Sequence, residues 1–323
     1  MRKNAKITVL GLMGNSVFMQ VPHFHSVGET LNASSLYMEP GGKGCNQAVA
    51  AARLGAQVSF LSCMGQDSTA QDCVSFMRSE GIACYTEYKK DAASPYACIL
   101  TDSLGENQVT VHGGSARFMT PDFVRSCAEV IADADILLLN NECPLAANSA
   151  ALDIALAHGV PAVLNPAPYS PLPREYLCKF SVITPNRHEA AMLCGLPADG
   201  SAEALLHGLV TMGIQRAVIT LGGDGAIAWD GERTLRCPAL PVTPRDTTGA
   251  GDCFNGALCC ALAEGLSMEA AVKRAAAAAA FSVSRKYVMP SLPHLHELES
   301  VGSHCGSAKA APPGGGLKMA ART

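Results

Sequence analysis

A segment late in the chain combines the residue types needed to act on a phosphate group. It runs from Asp246 to Asp252, reads Asp-Thr-Thr-Gly-Ala-Gly-Asp, and leads directly into the helical run 253–264. Its small side chains leave backbone N–H groups uncovered at the start of a helix, where the helix dipole adds partial positive charge. The glycine-rich part, residues 249–251, is therefore predicted to form an anion-binding loop.

Asp252 lies in the first turn of that helix, and two interpretations of it are open. An acidic residue at this position commonly does no more than stabilise the helix dipole. Beside an anion-binding loop, the same carboxylate could accept the proton of a hydroxyl group as its oxygen attacks phosphorus. We therefore predict that Asp252 is the general base of a phosphoryl transfer, and we expect Asp246 to shape the loop.

A second glycine loop opens another helix nearer the amino terminus. Residues 41–47 read Gly-Gly-Lys-Gly-Cys-Asn-Gln, and an alanine-rich helical stretch follows. Neither Ser nor Thr follows Lys43, and the GxxxxGK order is absent, so a P-loop NTPase is not indicated. The loop backbone and the Asn46 amide could bind sugar hydroxyls, because an amide offers both donor and acceptor. The alternative is a tight turn that caps a core helix.

The elements that must position these loops alternate along the chain. Short apolar runs typical of strands buried on both faces, such as 7–10 and 136–139, are separated by helical segments. This order predicts an α/β fold with a central, mainly parallel sheet. Segments 13–39 and 94–113 are polar and alternating instead, and they predict exposed strands that form a small β-lid.

Composition excludes several classes of protein. The formal net charge is −4 and no basic stripe is visible, so a nucleic-acid partner is not expected. The longest apolar runs are far shorter than the ~20 residues of a membrane helix. The 14 cysteines are scattered through apolar segments without a CxxC pair, so we expect buried, reduced thiols and a cytoplasmic protein.

The carboxyl terminus differs in composition from the rest of the chain. Residues 302–323 contain Gly, Ala, Pro and Lys without an apolar period, which predicts a disordered tail. Residues 1–301 are then expected to form one domain that carries the lid.

The two glycine loops resemble the two signature motifs of the ribokinase-like, or PfkB, sugar kinases. The similarity extends over 7–293 and includes segments 27–30, 164–168, 183–186 and 220–225. The resemblance implies a three-layer α/β fold with a small β-lid and ATP-dependent transfer of the γ-phosphate to a primary hydroxyl of a sugar, ribose or a related pentose. Two alternatives stay open: a nucleoside kinase on the same scaffold, and a catalytically silent sugar-binding sensor.

The resemblance also implies roles for single positions. The base and the anion hole fall on Asp252, Gly249, Ala250 and Gly251. Sugar-binding positions fall on Gly14, Asn15, Ser16, Gly42, Lys43, Gly44, Asn46, Glu142 and Asp252. Nucleotide-binding positions fall on Asn186, Glu189, Thr220, Leu221, Gly222, Gly223, Asp224, Gly225, Gly251 and Ala276. Positions for a monovalent cation fall on Asp246, Thr248, Ser282, Arg285, Tyr287 and Ser291. The implied cofactors are ATP and Mg2+, with K+ left open, and the implied partner is a second copy of the chain paired through the lid.

One segment departs from the family pattern. After the first strand the family commonly shows Gly-x-x-Asn-x-Asp, whose Asn and Asp bind sugar hydroxyls, whereas this chain has Gly14 and Ser16 at those two positions. Losing a hydrogen bond to a charged group typically costs about 1.5–3 kcal/mol. Selection for an alcohol other than ribose is therefore a hypothesis of its own.

Overall fold

The fold is described from a computed structural model, and the structure describes residues 5–298. The predicted tail, residues 302–323, lies outside this range. The strands in chain order are β1 (Lys6–Leu10), β2 (Gly14–Gln20), β3 (Ser35–Gly41), β4 (Gln57–Gly65), β5 (Ala83–Lys89), β6 (Tyr96–Thr101), β7 (Asn107–His112), β8 (Ile136–Asn140), β9 (Ala162–Asn165), β10 (Val182–Ile183), β11 (Ala217–Thr220), β12 (Ala226–Trp229) and β13 (Thr234–Cys237). The α-helices are α1 (Lys43–Arg53), α2 (Ser68–Ser79), α3 (Pro121–Ser126), α4 (Ala128–Ala132), α5 (Leu145–Ala157), α6 (Arg174–Leu177), α7 (Arg187–Cys194), α8 (Ala202–Thr211), α9 (Ala250–Ala263) and α10 (Met268–Val283).

Nine of these strands form the central sheet, in the order β13-β12-β11-β10-β9-β8-β1-β4-β5. Pairing is parallel from β5 to β11 and antiparallel for β12 and β13. The predicted mainly parallel α/β sheet is confirmed.

Both faces of the central sheet are covered by helices, which explains the uninterrupted apolar runs of its middle strands. Leu138 and Val163 point into one core with α1, α2, α9 and α10. Leu137, Leu139 and Leu164 point into the other core with α3, α4, α5, α7 and α8. The result is the predicted three-layer arrangement, because alternate side chains of one strand enter opposite faces.

The two segments predicted to form the lid make one separate sheet, in the order β3-β2-β6-β7. We call it the lid sheet. Strand β2 pairs antiparallel with β3 and parallel with β6, while β6 and β7 form the predicted hairpin. The sheet stands against the loop that follows α10, so one of its faces is turned toward the body of the protein.

The 13 cysteines within residues 5–298 are free, and most of them are buried. None of the helices in that range has the length and hydropathy of a membrane span.

Candidate active site

The predicted anion loop lies at the amino terminus of α9. Gly249 precedes the helix with φ of 74°, in the left-handed region that favours glycine. A Cβ on Gly249 would also lie 2.5 Å from Cγ1 of Val288, so the packing leaves no room for a side chain. The loop is therefore tight, and the first turn of α9 follows it directly; in that turn the Ala250 amide donates to the carbonyl of Thr247 at 3.3 Å, while the first amides of a helix have no partner within the helix.

Asp252 is held in a fixed orientation by two side chains of α1. Its Oδ2 accepts a hydrogen bond from Asn46 Nδ2 at 2.8 Å, and its Oδ1 accepts one from Gln47 Nε2 at 3.0 Å. The residue is only 5% exposed. Burial raises the pKa of Asp252, while the charge of Lys43 and the two amide donors oppose that rise. The two predicted loops thus meet at one carboxylate.

Gln47 connects Asp252 to the strand ends beneath it. Its Nε2 also donates to Asn165 Oδ1 at 3.0 Å, and its Oε1 accepts a hydrogen bond from Asn140 Nδ2 at 3.4 Å. Gln47 is fully buried, and Asn140 and Asn165 are the last residues of β8 and β9. None of these three residues was predicted from the sequence to belong to the site. The available signal was an Asn at the carboxyl end of each of two apolar strands, the edge where α/β sheets bind ligands.

A further series of hydrogen bonds connects Asn165 to the anion loop. Asn165 Nδ2 donates to the carbonyl of Thr184 at 3.0 Å, and Thr184 Oγ1 donates to Asn255 Oδ1 at 2.5 Å. Asn255 Nδ2 then donates to the carbonyl of Gly251 at 2.8 Å. These buried amides and hydroxyls fix the position of the loop relative to the sheet, since each is hydrogen-bonded within the protein.

Glu142 joins the site at the amino terminus of α1. Its carboxylate accepts hydrogen bonds from the amides of Lys43 at 3.0 Å and Gly44 at 3.1 Å. Burial raises the pKa of Glu142 to about 7, against the effect of those amides and of the Lys43 charge. The carboxylates of Asp252, Glu142 and Glu189 together raise the pKa of Lys43, and Asp252 contributes most. Lys43 is therefore the cation shared by the site.

Two buried polar atoms beside this cluster lack a partner within residues 5–298. They are Asn46 Oδ1 and Asn141 Nδ2. A buried polar atom without a hydrogen bond is costly, and native structures usually satisfy such atoms with water or a ligand. The Nδ2 atom of Asn46 therefore donates to Asp252, while its Oδ1 atom can accept a hydrogen bond from a bound hydroxyl.

The predicted sugar positions on β2 divide between the two faces of the lid sheet. Ser16 is buried and lies on the face turned toward the body, whereas Asn15 lies on the opposite face because strand side chains alternate. Gly14 shares the face of Ser16, and a Cβ there would overlap the carbonyl oxygen of Pro95. The structure thus places Ser16 beside Gly41, leaves no room for a side chain at position 14, and turns the side chain of Asn15 away. We call the space between this face of the lid sheet and the start of α1 the cleft.

The predicted nucleotide positions lie along the ends of β10 and β11. Asn186 and Glu189 form a capping box at α7, in which Asn186 Oδ1 accepts from the Glu189 amide and Glu189 Oε2 accepts from the Asn186 amide, each at 2.8 Å. Asn186 also bridges to Thr220. The loop 221–225 is largely exposed. Ala276 lies on α10, partly buried against the core.

The chemistry of this edge fits Mg2+ bound with a nucleotide. Glu189 Oε2 is engaged with Asn186, and no hydrogen bond to Oε1 is found within residues 5–298. Carboxylate and amide oxygens are ligands that Mg2+ accepts, usually through water and substrate phosphates. Burial raises the pKa of Glu189, and the Lys43 charge opposes it.

The predicted cation positions are brought together at the loop after α10. Asp246 accepts from the amides of Thr248 at 2.9 Å and Tyr287 at 3.0 Å, and the hydroxyls of Ser282 and Ser291 lie 2.9 Å apart. Arg285 differs, because its guanidinium donates to Glu297 at 3.1 Å. These positions offer only oxygen ligands, which fits a hard cation such as K+. Clusters of three or more metal-binding His, Cys, Asp or Glu side chains are absent from residues 5–298.

Glu39 is a further residue that our sequence analysis missed. It lies on β3, is 4% exposed, and accepts hydrogen bonds from the amides of Val288 at 2.9 Å and Met289 at 3.0 Å. Burial raises the pKa of Glu39 to about 7, against those two amides. Next to it, Tyr37 stacks on Tyr287 with ring centroids 3.9 Å apart. The lid sheet is thereby attached to the loop that carries the predicted cation positions.

Comparisons with known proteins show which family the chain resembles. The sequence profile of the pfkB family carbohydrate kinases matches residues 4–295. The ribokinase of Haemophilus influenzae is 37% identical over 300 residues, which cover 92% of this chain and 97% of that protein. The deoxyribokinase of Salmonella typhi is 33% identical over 274 residues, which cover 84% and 90%. The structure of Arabidopsis thaliana ribokinase complexed with ribose and ATP has a TM-score of 0.83 at 26% identity, covering 93% and 99%.

The three-layer fold and a buried carboxylate beside an anion loop define a phosphotransferase that acts on an alcohol group. The chain belongs to the pfkB family of carbohydrate kinases.

Proposed function

We propose that the protein transfers the γ-phosphate of ATP to the primary hydroxyl of a sugar, ribose or a related pentose. The observation that carries this proposal is the position of Asp252, buried in the first turn of α9 and held by Asn46 and Gln47. A carboxylate fixed in this way can serve as a base, because its orientation toward an incoming hydroxyl is set before the substrate binds.

The residues of the site supply the parts that phosphoryl transfer needs. Asp252 accepts the proton of the primary hydroxyl, and the amides of residues 249–251 stabilise the charge on the phosphoryl oxygens. Asn46 Oδ1 and Glu142 bind other hydroxyls of the acceptor. Lys43 balances the carboxylates. Asn186 and Glu189 would hold Mg2+, which neutralises phosphate charge when it is bound.

The names of the relatives support the substrate class. They include a ribokinase, a deoxyribokinase and a ribokinase whose structure was solved with ribose and ATP. The oxygen ligands around Asp246 also support activation by K+.

We further propose a homodimer formed through the outer face of the lid sheet, in a cytoplasmic protein. Leu36 and Met38 lie on that face, 64% and 47% exposed, beside Met19 and Leu100. A second copy would bury this apolar patch. The free cysteines support a reducing compartment. Sedimentation of the wild type and of Leu36→Glu tests the dimer, which predicts a dimeric wild type and a weakened or monomeric variant.

The proposed reaction is tested by ADP formation from MgATP with a panel of acceptors. The panel contains ribose, deoxyribose, fructose, other sugars and nucleosides, and the product is identified by mass and by the position of the phosphate. Acceptor-dependent ADP with a phosphorylated primary hydroxyl of a pentose is the expected result. Activity confined to nucleosides, or no ADP with any member of the panel, would contradict the proposal.

A further inference from the structure

The face of the lid sheet that is turned toward the body carries apolar side chains at five of the eight positions in two neighbouring rows. Ser16 on β2 pairs with Glu39 on β3 and with Ala97 on β6, and Ala97 pairs with Val111 on β7. The next row on the same face contains Phe18, Ile99 and Val109, with Tyr37 on β3. Val109 and Val111 are more than half exposed, although both are apolar.

Glu39 is the one acid in these two rows, and its carboxylate is directed at the loop after α10. Both of its carboxylate oxygens accept main-chain hydrogen bonds, from Val288 and Met289, and the side chain is almost completely buried. It cannot replace the charged acceptor that the family pattern places at position 16.

Position 14 cannot replace that acceptor either. A Cβ on Gly14 would overlap the carbonyl oxygen of Pro95, so the approach of the 94–96 segment excludes any side chain. The Ser16 hydroxyl packs so closely on Gly41 that a Cβ at position 41 would overlap it. The lid side of the cleft therefore offers one short, neutral hydroxyl where the family pattern has an amide and a carboxylate.

The opposite side of the cleft is strongly polar. Asn46 Oδ1 and Asn141 Nδ2 are buried without partners within residues 5–298, and Asp252 and Glu142 lie in the same cluster. An acceptor in this cleft meets hydrogen-bonding groups on its body side and apolar side chains on its lid side. Hydroxyls placed against Ala97 and Val111 would lose their water without gaining a partner, which disfavours binding.

We propose that the preferred acceptor is a sugar-like primary alcohol whose lid-facing edge lacks a vicinal diol, and that Ser16 determines this preference. The simplest such pentose is 2-deoxyribose. This inference rests on the proposed kinase function and narrows its substrate class.

The test compares kcat/KM for 2-deoxyribose and for ribose with saturating MgATP, in the wild type and in Ser16→Asp. We expect the wild type to favour 2-deoxyribose by about tenfold or more, the scale on which a site discriminates a buried hydroxyl. Ser16→Asp supplies a charged acceptor and should lower that ratio by about tenfold or more in favour of ribose.

A matched control adds the same charge elsewhere on the lid sheet. Ser35 begins β3 and is exposed, so Ser35→Asp should leave the ratio of the two kcat/KM values unchanged. A wild type that favours ribose, or an unchanged ratio in a folded Ser16→Asp, would overturn this inference and leave the kinase function standing. If Ser16→Asp does not fold, the wild-type ratio decides. No ADP with any sugar or nucleoside would overturn the proposed function and this inference together.

Discussion

The Gln47 side chain donates from one amide nitrogen to both Asp252 Oδ1 and Asn165 Oδ1, at 3.0 Å in each case. Gln47 therefore links the proposed base to the carboxyl end of β9, and it holds the carboxylate without belonging to the cleft surface. This relationship makes Gln47 a positioning residue for Asp252.

Gln47→Leu tests that role. The variant keeps the side-chain volume and removes the donor, so we expect kcat to fall by about tenfold to a hundredfold, as for small misplacements of a catalytic group. The acid limb of the pH profile should also move to higher pH, because the charged form of Asp252 loses a hydrogen bond. Gln71→Leu on the exposed surface of α2 is the control. A folded Gln47→Leu with an unshifted acid limb would rule out the positioning role.

The wild-type pH dependence follows from the environment of Asp252. Burial raises its pKa above the ordinary value for an aspartate. Since only the charged carboxylate can accept a proton, kcat/KM should be low on the acid side and rise as the pH increases through that raised pKa. Lys43→Met removes the main opposing charge, so its acid limb should lie at higher pH than in the wild type. Initial rates measured across the pH range check both statements, and an acid limb unmoved by Lys43→Met would argue against Asp252 as the titrating group.

Glu39→Gln tests the attachment of the lid sheet. An amide can accept with only one atom and turns its NH2 group toward a backbone N–H, so one of the two main-chain hydrogen bonds is lost. Because burial raises the pKa of Glu39 to about 7, ionisation of Glu39 lowers the stability of the folded protein. The free energy of unfolding of the wild type should therefore fall as the pH rises through 7, and Glu39→Gln should not show this fall; urea unfolding at pH 5 and at pH 8 measures the difference.

Amide exchange locates that effect. The amides of Val288 and Met289 should exchange faster in Glu39→Gln, and KM for the sugar should rise more than kcat falls. Glu106→Gln, an exposed acid in the β6–β7 turn of the same sheet, is the control. Unchanged exchange at residues 288 and 289 would show that Glu39 does not hold this loop in solution.

Asp246→Asn tests the proposed monovalent cation site. The carboxylate accepts from two backbone amides and is the one charged oxygen ligand among the predicted positions. We expect the KCl concentration for half-maximal rate to rise by about tenfold, with tetramethylammonium chloride keeping the ionic strength constant.

Asp230→Asn is a matched control, because Asp230 also accepts from two backbone amides, those of Glu232 and Arg233, in a distant turn. A direct titration of K+ followed by isothermal titration calorimetry provides a second readout. Equal responses to KCl in the wild type and Asp246→Asn would exclude the site.

The sequence predicted those parts of the molecule in which chemistry and local structure coincide. The loop at 249–252 and the loop at 41–47 each combine small residues with a helix start, and both were found at the meeting point of α9 and α1. The apolar runs of β1 and β8 were predicted because burial on both faces leaves a continuous signal.

Other parts depend on contacts between distant residues, which no local pattern records. Gln47 donates to both Asp252 and Asn165, which lie 205 and 118 residues away from it along the chain. Strands β12 and β13 were missed because each has only four residues next to turns. The parallel pairing of β2 with β6 was also not predicted, since the two strands are separated by the whole α1–β4–α2–β5 unit.

Asp252→Asn provides the most direct test of the central claim. The substitution keeps the shape of the side chain and removes the base, so turnover with the preferred sugar should fall by at least ~100-fold while ATP binding is largely kept. Turnover by single-cycle ADP release and ATP affinity by calorimetry would be measured on the same preparation. A variant that binds ATP and turns over at nearly the wild-type rate would remove Asp252 from the mechanism.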